Sequence, residues 1–305
     1  MTSASPPEPR VSAVVVSYNT RDDLMRCLDS LARSVGVPHE VIVVDNASAD
    51  GSAAAVRGRF PAALLLENST NAGFARACNQ GLRAARARFR LLLNSDAEVR
   101  AGAVETMAWL LETRPDVGIV GPRTRNADGT VQVSFGPDLT PLGEWRQRAL
   151  VRGVRARGPD ALRRVEALAA VEHEPGWVSA SCLMARAEAL LAVGGLDERF
   201  FLYEEDVDLC VRVRRAGWRV VFTPAAEVVH HLGRSMERAP ALSRREYHRS
   251  HLRYYRKHHG RLGEALLRLY LAASSCAGWV AALGPGEVRS ARRRACAEEL
   301  GVALR

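Results

Sequence analysis

Several common nucleotide-binding and redox chemistries are excluded by what this sequence lacks. After the apolar run Val11 to Ser17 the chain reads YNTRDD, with none of the glycines that let backbone approach a pyrophosphate in a GxGxxG turn. A dinucleotide-dependent dehydrogenase is therefore not expected. No GK[ST] occurs anywhere, which removes the P-loop as well. The six cysteines (Cys27, Cys78, Cys182, Cys210, Cys276 and Cys296) contain no CxxC pair and lie far apart. Four of them fall within apolar element patterns, so reduced, buried thiols in a cytosolic compartment are expected rather than disulfides or zinc. The opening MTSASPPEPR has neither the basic start nor the apolar run of a signal peptide. Export by that route is not expected, and the expected location is the cytoplasm. Lysine is almost missing too: Lys257 stands alone among 43 basic residues, and arginine carries the net charge of +9.

What is present fits an enzyme of ordinary composition. The 305 residues, 47% hydrophobic and 25% charged, suffice for one large domain or two. The basic balance suits an anionic partner such as a nucleotide diphosphate or an acidic lipid. Nucleic acid is not an expected partner, because the arginines are scattered and no finger, basic zipper or recognition-helix signature occurs.

The chain repeats a strand-helix alternation. Val11 to Ser17 suits a strand buried on both faces, and RDDLMRCLDSLARS then puts Leu24, Leu28 and Leu31 on one helical face, with Thr20 or Asp22 as N-cap. EVIVVD (Glu40 to Asp45) reads as the second strand, Ala63 to Glu67 the third, Arg90 to Asn94 the fourth and Val117 to Val120 the fifth, with helices over Gly73 to Ala87 and Gly102 to Arg114. The expected fold class is α/β, a doubly wound, mostly parallel sheet. Ligands of such sheets sit at the carboxyl ends of the strands, here Tyr18 and Asn19, Asp45, Asn68 to Gly73, and Asn94 to Asp96. Asp128 and Gly129 mark a hairpin turn. Phe135 to about Glu174 is an Arg-rich helical insertion whose role the pattern does not reveal.

The stretch FFLYEEDVDLCVR, Phe200 to Arg212, carries the densest signal. Three aromatics lead into Glu204, Glu205, Asp206 and Asp208, after which Leu209 and Val213 are spaced for one buried helical face and Gly217 supplies the stop. One reading is a capped helix with solvated acids. The other is a carboxylate held in a partly dry pocket, where it can act as a base.

Together VVVSYNTRDDLMRCLDSL, VIVVDNASADGS, NAGFARACNQGL, LLLNSDAEV and GGLDERFFLYEEDVDLCVRVRRAGWRVVF resemble the family 2 inverting glycosyltransferases of the A-type glycosyltransferase fold, over roughly Val11 to Ser235. They are most similar to bacterial rhamnosyltransferases that build cell-surface polysaccharide. The resemblance implies a nucleotide site containing Ser17, Tyr18, Asn19, Asp45, Asn71, Gly73, Asn79, Asn94 and Ser95. In it Asp45 accepts from a pyrimidine ring N–H; an Asx turn with Asn46 is the alternative for that side chain, and a helix-start turn for Gly73. Asn94, Ser95 and Asp96 stand where most members have Asp-any-Asp, so one carboxylate, Asp96, together with His230 and diphosphate oxygens is left to hold Mg²⁺ or Mn²⁺. Neighbouring His231 is the alternative solvent-facing histidine. Asp206 matches the family's general base, with Glu205 beside it in the acceptor and sugar pocket, while Glu204 and Asp208 are helix-start or acceptor contacts. Trp177 and Ser179 to Cys182 match the segment shaping the sugar and acceptor pocket, with Ala180 in place of a common glycine.

The implied partners are a dTDP- or UDP-linked sugar and a saccharide or polyprenyl-linked acceptor, with a homodimer also in view. Beyond Ser235 the expected extension over 236–305 alternates basic and aromatic residues and then runs uncharged from Leu269 to Leu283. That run is too short for a comfortable bilayer span, so the alternatives are an in-plane helix on an anionic membrane and a helix packed on protein. Two rivals to the transferase remain: a catalytically silent nucleotide-sugar-binding subunit, against which Asp96 and Asp206 both stand, and a nucleotidyltransferase, which needs a phosphate loop that YNTRDD does not supply.

Overall fold

The computed structural model describes residues 8–231, 240–283 and 287–304. Ser235, where the family resemblance ends, and the boundary expected beside it lie outside these residues. By contacts the chain forms two compact units, Met1–Asp197 with Asp206–Arg234, and Glu198–Glu205 with Ser235–Arg305.

The first unit is built on an eight-stranded sheet. Its strands are β1 (Val11–Ser17), β2 (His39–Asp45), β3 (Leu64–Glu67), β4 (Phe89–Asn94), β5 (Ala97–Val99), β6 (Val117–Arg125), β9 (Cys182–Arg186) and β10 (Arg219–His230). They are ordered β3-β2-β1-β4-β9-β6-β10-β5. A separate two-stranded ribbon pairs β7 (Phe135–Gly136) with β8 (Trp177–Val178). β3, β2, β1 and β4 run parallel, as do β6 and β10, whereas β9 is antiparallel to both neighbours and β5 to β10. Because β9 is antiparallel to both β4 and β6, six of the eight strands (β1, β2, β3, β4, β6 and β10) run the same way, as the doubly wound, mostly parallel reading expects, and the reversed β9 and β5 make the sheet mixed. Periodicity could not show this, because a fully buried strand carries the same apolar run in either direction.

The two faces of the sheet bury separate clusters. α1 (Arg21–Ser34) and α4 (Ala103–Thr113) cover one face, where Leu24, Leu28, Leu31, Met107 and Leu111 pack on Val15, Leu91 and Leu93. The opposite face takes α3 (Phe74–Ala84), α7 (Ala187–Val193) and α8 (Glu205–Arg215), with Cys78, Leu190, Leu209 and Val213 against Val14, Ile42 and Leu92. Each such aliphatic side chain contributes about 1.5–3 kcal/mol of burial. The Arg-rich insertion is two helices, α5 (Pro141–Arg155) and α6 (Pro159–Ala169), and it helps to close the core, since Val165 and Ala169 of α6 join the second cluster beside Phe135 and Phe222. A short α2 (Ser52–Arg59) follows β2. The Asp128–Gly129 turn is a hairpin, with Gly129 at φ 82° and Asn126 and Thr130 bonded across it.

The second unit joins the short segment Glu198–Glu205 to the helices α9 (Pro240–Ala281, broken at Gly260) and α10 (Glu287–Ala303). Within it Tyr203 Oη and Ser243 Oγ are 2.6 Å apart, and the Ser250 hydroxyl donates to the Leu202 carbonyl at 2.7 Å. The His251 Nδ1 lies 2.9 Å from Glu204 Oε1, both residues being buried. Glu204, expected as a helix-start or acceptor contact, is thus bonded inside this unit. Tyr203 and Glu204 have φ of 69° and 65°, a left-handed corner that uncommonly holds two non-glycine residues in succession.

Candidate functional site

Register brings the chemistry-bearing residues of the first unit together. Ser17 pairs with Asp45, Asp45 with Glu67, and Val16 with Asn94, so β1, β2, β3 and β4 end side by side. At this edge the loops are locked by buried polar side chains. The Ser17, Thr20 and Ser95 hydroxyls form a chain with spacings of 3.0 and 2.8 Å. Thr20 sits at the N-cap of α1 as expected, but its hydroxyl tethers the ends of β1 and β4 and makes no capping bond. Tyr18, 42% exposed, stands at the mouth. Asn19, in the left-handed region at φ 54°, accepts from the Ala49 N–H at 2.7 Å and so holds the β2 loop.

Asp45 is buried and divided in role. Its Oδ2 accepts from the Ser48 N–H at 3.0 Å, whereas Oδ1 is buried and has no hydrogen-bond partner among the described residues. The turn reading and the binding reading are therefore compatible, one oxygen for each. An open buried carboxylate oxygen is costly unless a donor arrives. Asn46 next to it is the residue that sequence reasoning passed over. Buried at 3% exposure, it donates to Asn71 Oδ1 (2.8 Å) and accepts from Asn68 Nδ2 (3.0 Å) and the Ala72 N–H (2.9 Å). It thereby ties the β2 end to the β3–α3 loop. Its signal was available in the run of Asn residues at 46, 68 and 71, each at or just past a strand end.

Gly73 opens α3 at φ 84°, ψ 165°, a region closed to side chains, which explains the glycine independently of any ligand. Asn79, expected among the nucleotide contacts, faces elsewhere. Its amide donates to the Leu196 carbonyl at 2.8 Å and accepts from the Leu196 N–H at 2.9 Å, a reciprocal clamp on the turn after α7.

Asp96 and His230 meet. His230 Nε2 lies 3.0 Å from Asp96 Oδ1 and 3.4 Å from Asn94 Nδ2, and its Nδ1 lies 3.1 Å from Gln132 Oε1. Both Asp96 and His230 are buried. In the tautomer that donates Nδ1–H to the Gln132 oxygen, Nε2 presents its lone pair beside a carboxylate oxygen, a donor pair that a cation could share; in the other tautomer Nε2–H donates to Asp96 directly. One carboxylate and one imidazole suit a single divalent cation completed by other oxygens. Among the described residues no group of three or more His, Cys, Asp or Glu side chains could hold a metal by itself. His231 is set apart, its Nε2 being 2.7 Å from Glu98 Oε1.

Asp206 joins this edge through a chain of contacts. Its Oδ2 accepts from the Ala180 N–H at 3.0 Å and its Oδ1 from the Val207 N–H at 2.8 Å, while the Ser181 carbonyl accepts from the Asn94 N–H at 2.9 Å. The backbone of 180–181 thus links Asp206 to the strand end that carries Asp96. Ser179 Oγ accepts from the Ser181 N–H at 3.1 Å, and the Trp177 indole N–H is buried without a partner among the described residues. Asp208, fully buried, bonds to Arg212 at 2.7 Å and is a helix-internal ion pair. Glu205, buried, is the first residue of α8 and belongs by contacts to the second unit.

Comparison with known proteins bears on the family and the fold. The profile described as glycosyl transferase family 2 matches residues 12–170, and one described as glycosyl transferase family group 2 matches residues 166–274. The chain is 33% identical over 273 residues to the N-acetylglucosaminyl-diphospho-decaprenol L-rhamnosyltransferase of Mycobacterium tuberculosis, covering 86% of this chain and 89% of that one. It is 29% identical over 275 residues to the O-antigen biosynthesis protein RfbC of Myxococcus xanthus, covering 81% of this chain but 19% of that protein. Two solved structures share the fold. A mannosyltransferase, PcManGT from Pyrobaculum calidifontis in complex with GDP-Man and Mn²⁺, matches with a TM-score of 0.59 at 20% identity over 99% of this chain and 89% of that one. TarS 1-349 of S. aureus matches with a TM-score of 0.53 at 17% identity over 96% and 89%.

Proposed function

This chain belongs to glycosyl transferase family 2 and has the A-type glycosyltransferase fold, and on that premise we propose that it is a metal-dependent inverting enzyme. It transfers a deoxyhexose such as rhamnose from a dTDP- or UDP-linked donor to a hydroxyl of a saccharide or polyprenyl-linked acceptor in cell-surface polysaccharide synthesis. The rhamnosyl and lipid-linked parts of this reading take their support from the name of the mycobacterial relative.

The observation that carries it is the buried Asp96–His230 pair at the same strand edge as the open oxygen of Asp45. Asp45 Oδ1 offers an acceptor for a pyrimidine ring N–H, which selects thymine or uracil over a base lacking that donor. Ser17, Thr20 and Ser95 fix the edge, and Asn19 and Asn46 hold the loops that border the nucleotide. Asn79 is left out of the contact set because both ends of its amide serve Leu196. Asp96 and His230 would hold Mg²⁺ or Mn²⁺, which when bound with the donor supplies neutralisation of charge on the departing diphosphate. Asp206 is the base: two backbone N–H groups orient its carboxylate, and it takes the proton of the acceptor hydroxyl as that oxygen attacks the anomeric carbon opposite the leaving group. One displacement inverts the centre and needs no covalent intermediate. Trp177 and Ser179 border the sugar and acceptor side.

Calorimetric titration of dTDP-, UDP- and ADP-linked sugars with and without Mn²⁺ tests the site. Thymine and uracil donors are expected to bind more tightly than ADP-linked ones, whose base has no ring N–H, and to tighten further with Mn²⁺, and Asp96→Ala is expected to lose the Mn²⁺ increment while melting cooperatively. Unchanged metal dependence in that variant overturns the assignment.

A further inference from the structure

The second unit carries a face that its own packing leaves open. In α9 beyond Gly260, Gly263, Glu264, Leu267, Leu271 and Ser275 are on the inner side, the first partly buried and the rest buried, and Ala282 just past the helix end is buried as well. This side meets α10 through the Arg268 guanidinium and the Ala303 carbonyl (2.9 Å) and through the Arg293 guanidinium and the Ala282 carbonyl (2.7 Å). The other side is apolar and exposed: Leu262 74%, Leu266 59%, Leu269 68%, Val280 59% and Leu283 50%, with Cys276 exposed among them. At 100° per residue the five positions within α9, Leu262 to Val280, fall within an arc of about 80°, and at 1.5 Å per residue they extend about 27 Å, with Leu283 just past the helix end. No Asp, Glu, Lys or Arg interrupts the chain from Leu269 to Leu283. Tyr270 (54% exposed) and Trp279 (44%) flank the stripe on opposite edges. A continuous exposed apolar face of this length is outside what a helix in water ordinarily shows, and it calls for a covering surface.

Charge identifies the covering surface. Just beyond the stripe α10 exposes Arg289, Arg292 and Arg294, and Arg261 is exposed at the other end. Between Glu264 and Glu298 the sequence has one acidic residue, Glu287. A second copy docked through the same face would bring these arginine clusters into one contact; an anionic bilayer would complement them. Aromatic edges on either side of an aliphatic stripe suit the headgroup level, where an amphipathic ring has one end dry and one wet. Among the described residues no helix is long and apolar enough to cross a membrane, so the geometry is that of a helix lying in the interface plane.

We propose that the exposed face of α9 from Leu262 to Val280, continued by Leu283 past its end and by the arginines of α10, is a docking surface for an anionic lipid bilayer. The apolar stripe enters the acyl boundary and the arginines meet the headgroups, each helping to hold the other. The inference stands on this helix pair and does not depend on which sugar or acceptor the first unit handles.

Cys276 provides a reporter within the stripe, since the other five cysteines are buried or, for Cys296, half-buried. In the full chain carrying Cys296→Ser, an environment-sensitive fluorophore on Cys276 is titrated with vesicles of phosphatidylglycerol and phosphatidylcholine, and with phosphatidylcholine alone. The expected result is a blue shift and co-sedimentation with the anionic vesicles that weaken as salt rises. Leu266→Asp with Leu269→Asp should weaken partitioning about tenfold or more, and Arg289→Gln with Arg292→Gln and Arg294→Gln should weaken it less, without altering donor binding. Because all five positions are exposed, the variants should keep the parental circular dichroism and melting. The proposal is overturned by an absence of binding, by equal binding to both vesicle types, or by a concentration-dependent dimer in light scattering that the double Leu variant abolishes.

Discussion

The strand edge and the C-terminal helix pair handle polarity in opposite ways. At the strand edge the polar groups are inside: Ser17, Asp45, Asn46, Ser95, Asp96 and His230 are all buried, and each has a hydrogen-bond partner on another loop, strand or turn. In the helix pair the buried Glu264 carboxylate on the inner side is ion-paired with Arg256 and Arg268, while leucines face outward. Burying polar groups costs free energy unless their bonds are made, so a buried network fixes the loops and strand ends that it joins. Exposing leucines costs free energy unless something covers them, so an apolar stripe marks a surface. On the two proposals made above, the regions take different partners, a nucleotide-linked sugar at one and an anionic lipid surface at the other.

The division is broken most directly at Asp206. Asp206→Asn keeps an oxygen for the Ala180 N–H but cannot take a proton, so transfer should fall by about a hundred- to ten-thousand-fold while donor and vesicle binding stay near parental. Initial-rate assays of transfer beside calorimetric donor titration check this. If more than about a tenth of the rate survives, the base lies elsewhere, and Glu205 is the next residue to change.

A smaller effect is expected where the edge is held and no chemistry is done. Asn46→Ala removes the acceptor of the Ala72 N–H and the partner of Asn71 in a site that is 3% exposed. The loss is about 3 kcal/mol, which for a domain of this size lowers the melting temperature by roughly 5–10 °C, and donor affinity should fall with it. If stability falls and affinity does not, the loop tie belongs to folding alone.

How much of this was legible follows from the physics of each part. β1 to β4 and their carboxyl ends were readable because a continuous apolar run ending in a polar turn has few other meanings. β9 was hidden, since its five buried residues give no sign of direction, and it is β9 that brings Ser179 to Ser181 beside Asn94. The Asp96–His230 contact was reachable only through the family resemblance: 134 residues separate the two, and the pairing of β5 with β10 brings them together. Gln132 and Asn46 were missed because their work is to hold other side chains, and an amide in a turn looks the same whether or not it does so. For Asn79 the motif placed the residue correctly in α3, but which way an amide faces depends on Leu196, 117 residues away.

The cysteines sharpen the same division with the smallest effect. Cys27, Cys78, Cys182 and Cys210 of the first unit are buried, whereas Cys276 and Cys296 of the second are exposed or half-buried. Burial pushes the Cys210 thiol up from its ordinary 9.0 to about 12, and the nearby Asp206 charge adds to this. Burial also raises Cys182 and Cys27, the latter with help from Asp96. A thiol reagent at pH 8 should therefore modify Cys276 first, Cys296 more slowly, and the other four only after unfolding. The sign of the stability effect follows. Above pH 9 the unfolded chain releases the Cys210 proton while the native chain retains it, so the unfolded state binds fewer protons and stability falls as pH rises from about 9 toward 12. At pH 9.5 the part due to Cys210 is about 1 kcal/mol. Cys210→Ala should lower stability at every pH through the lost packing, yet decline less between pH 7.5 and 9.5 than the parent by about that amount in urea titrations. Equal slopes in parent and variant would mean that Cys210 loses its proton as easily in the folded chain as in the unfolded one, and the tight interior beneath Asp206 would then have to be open to water.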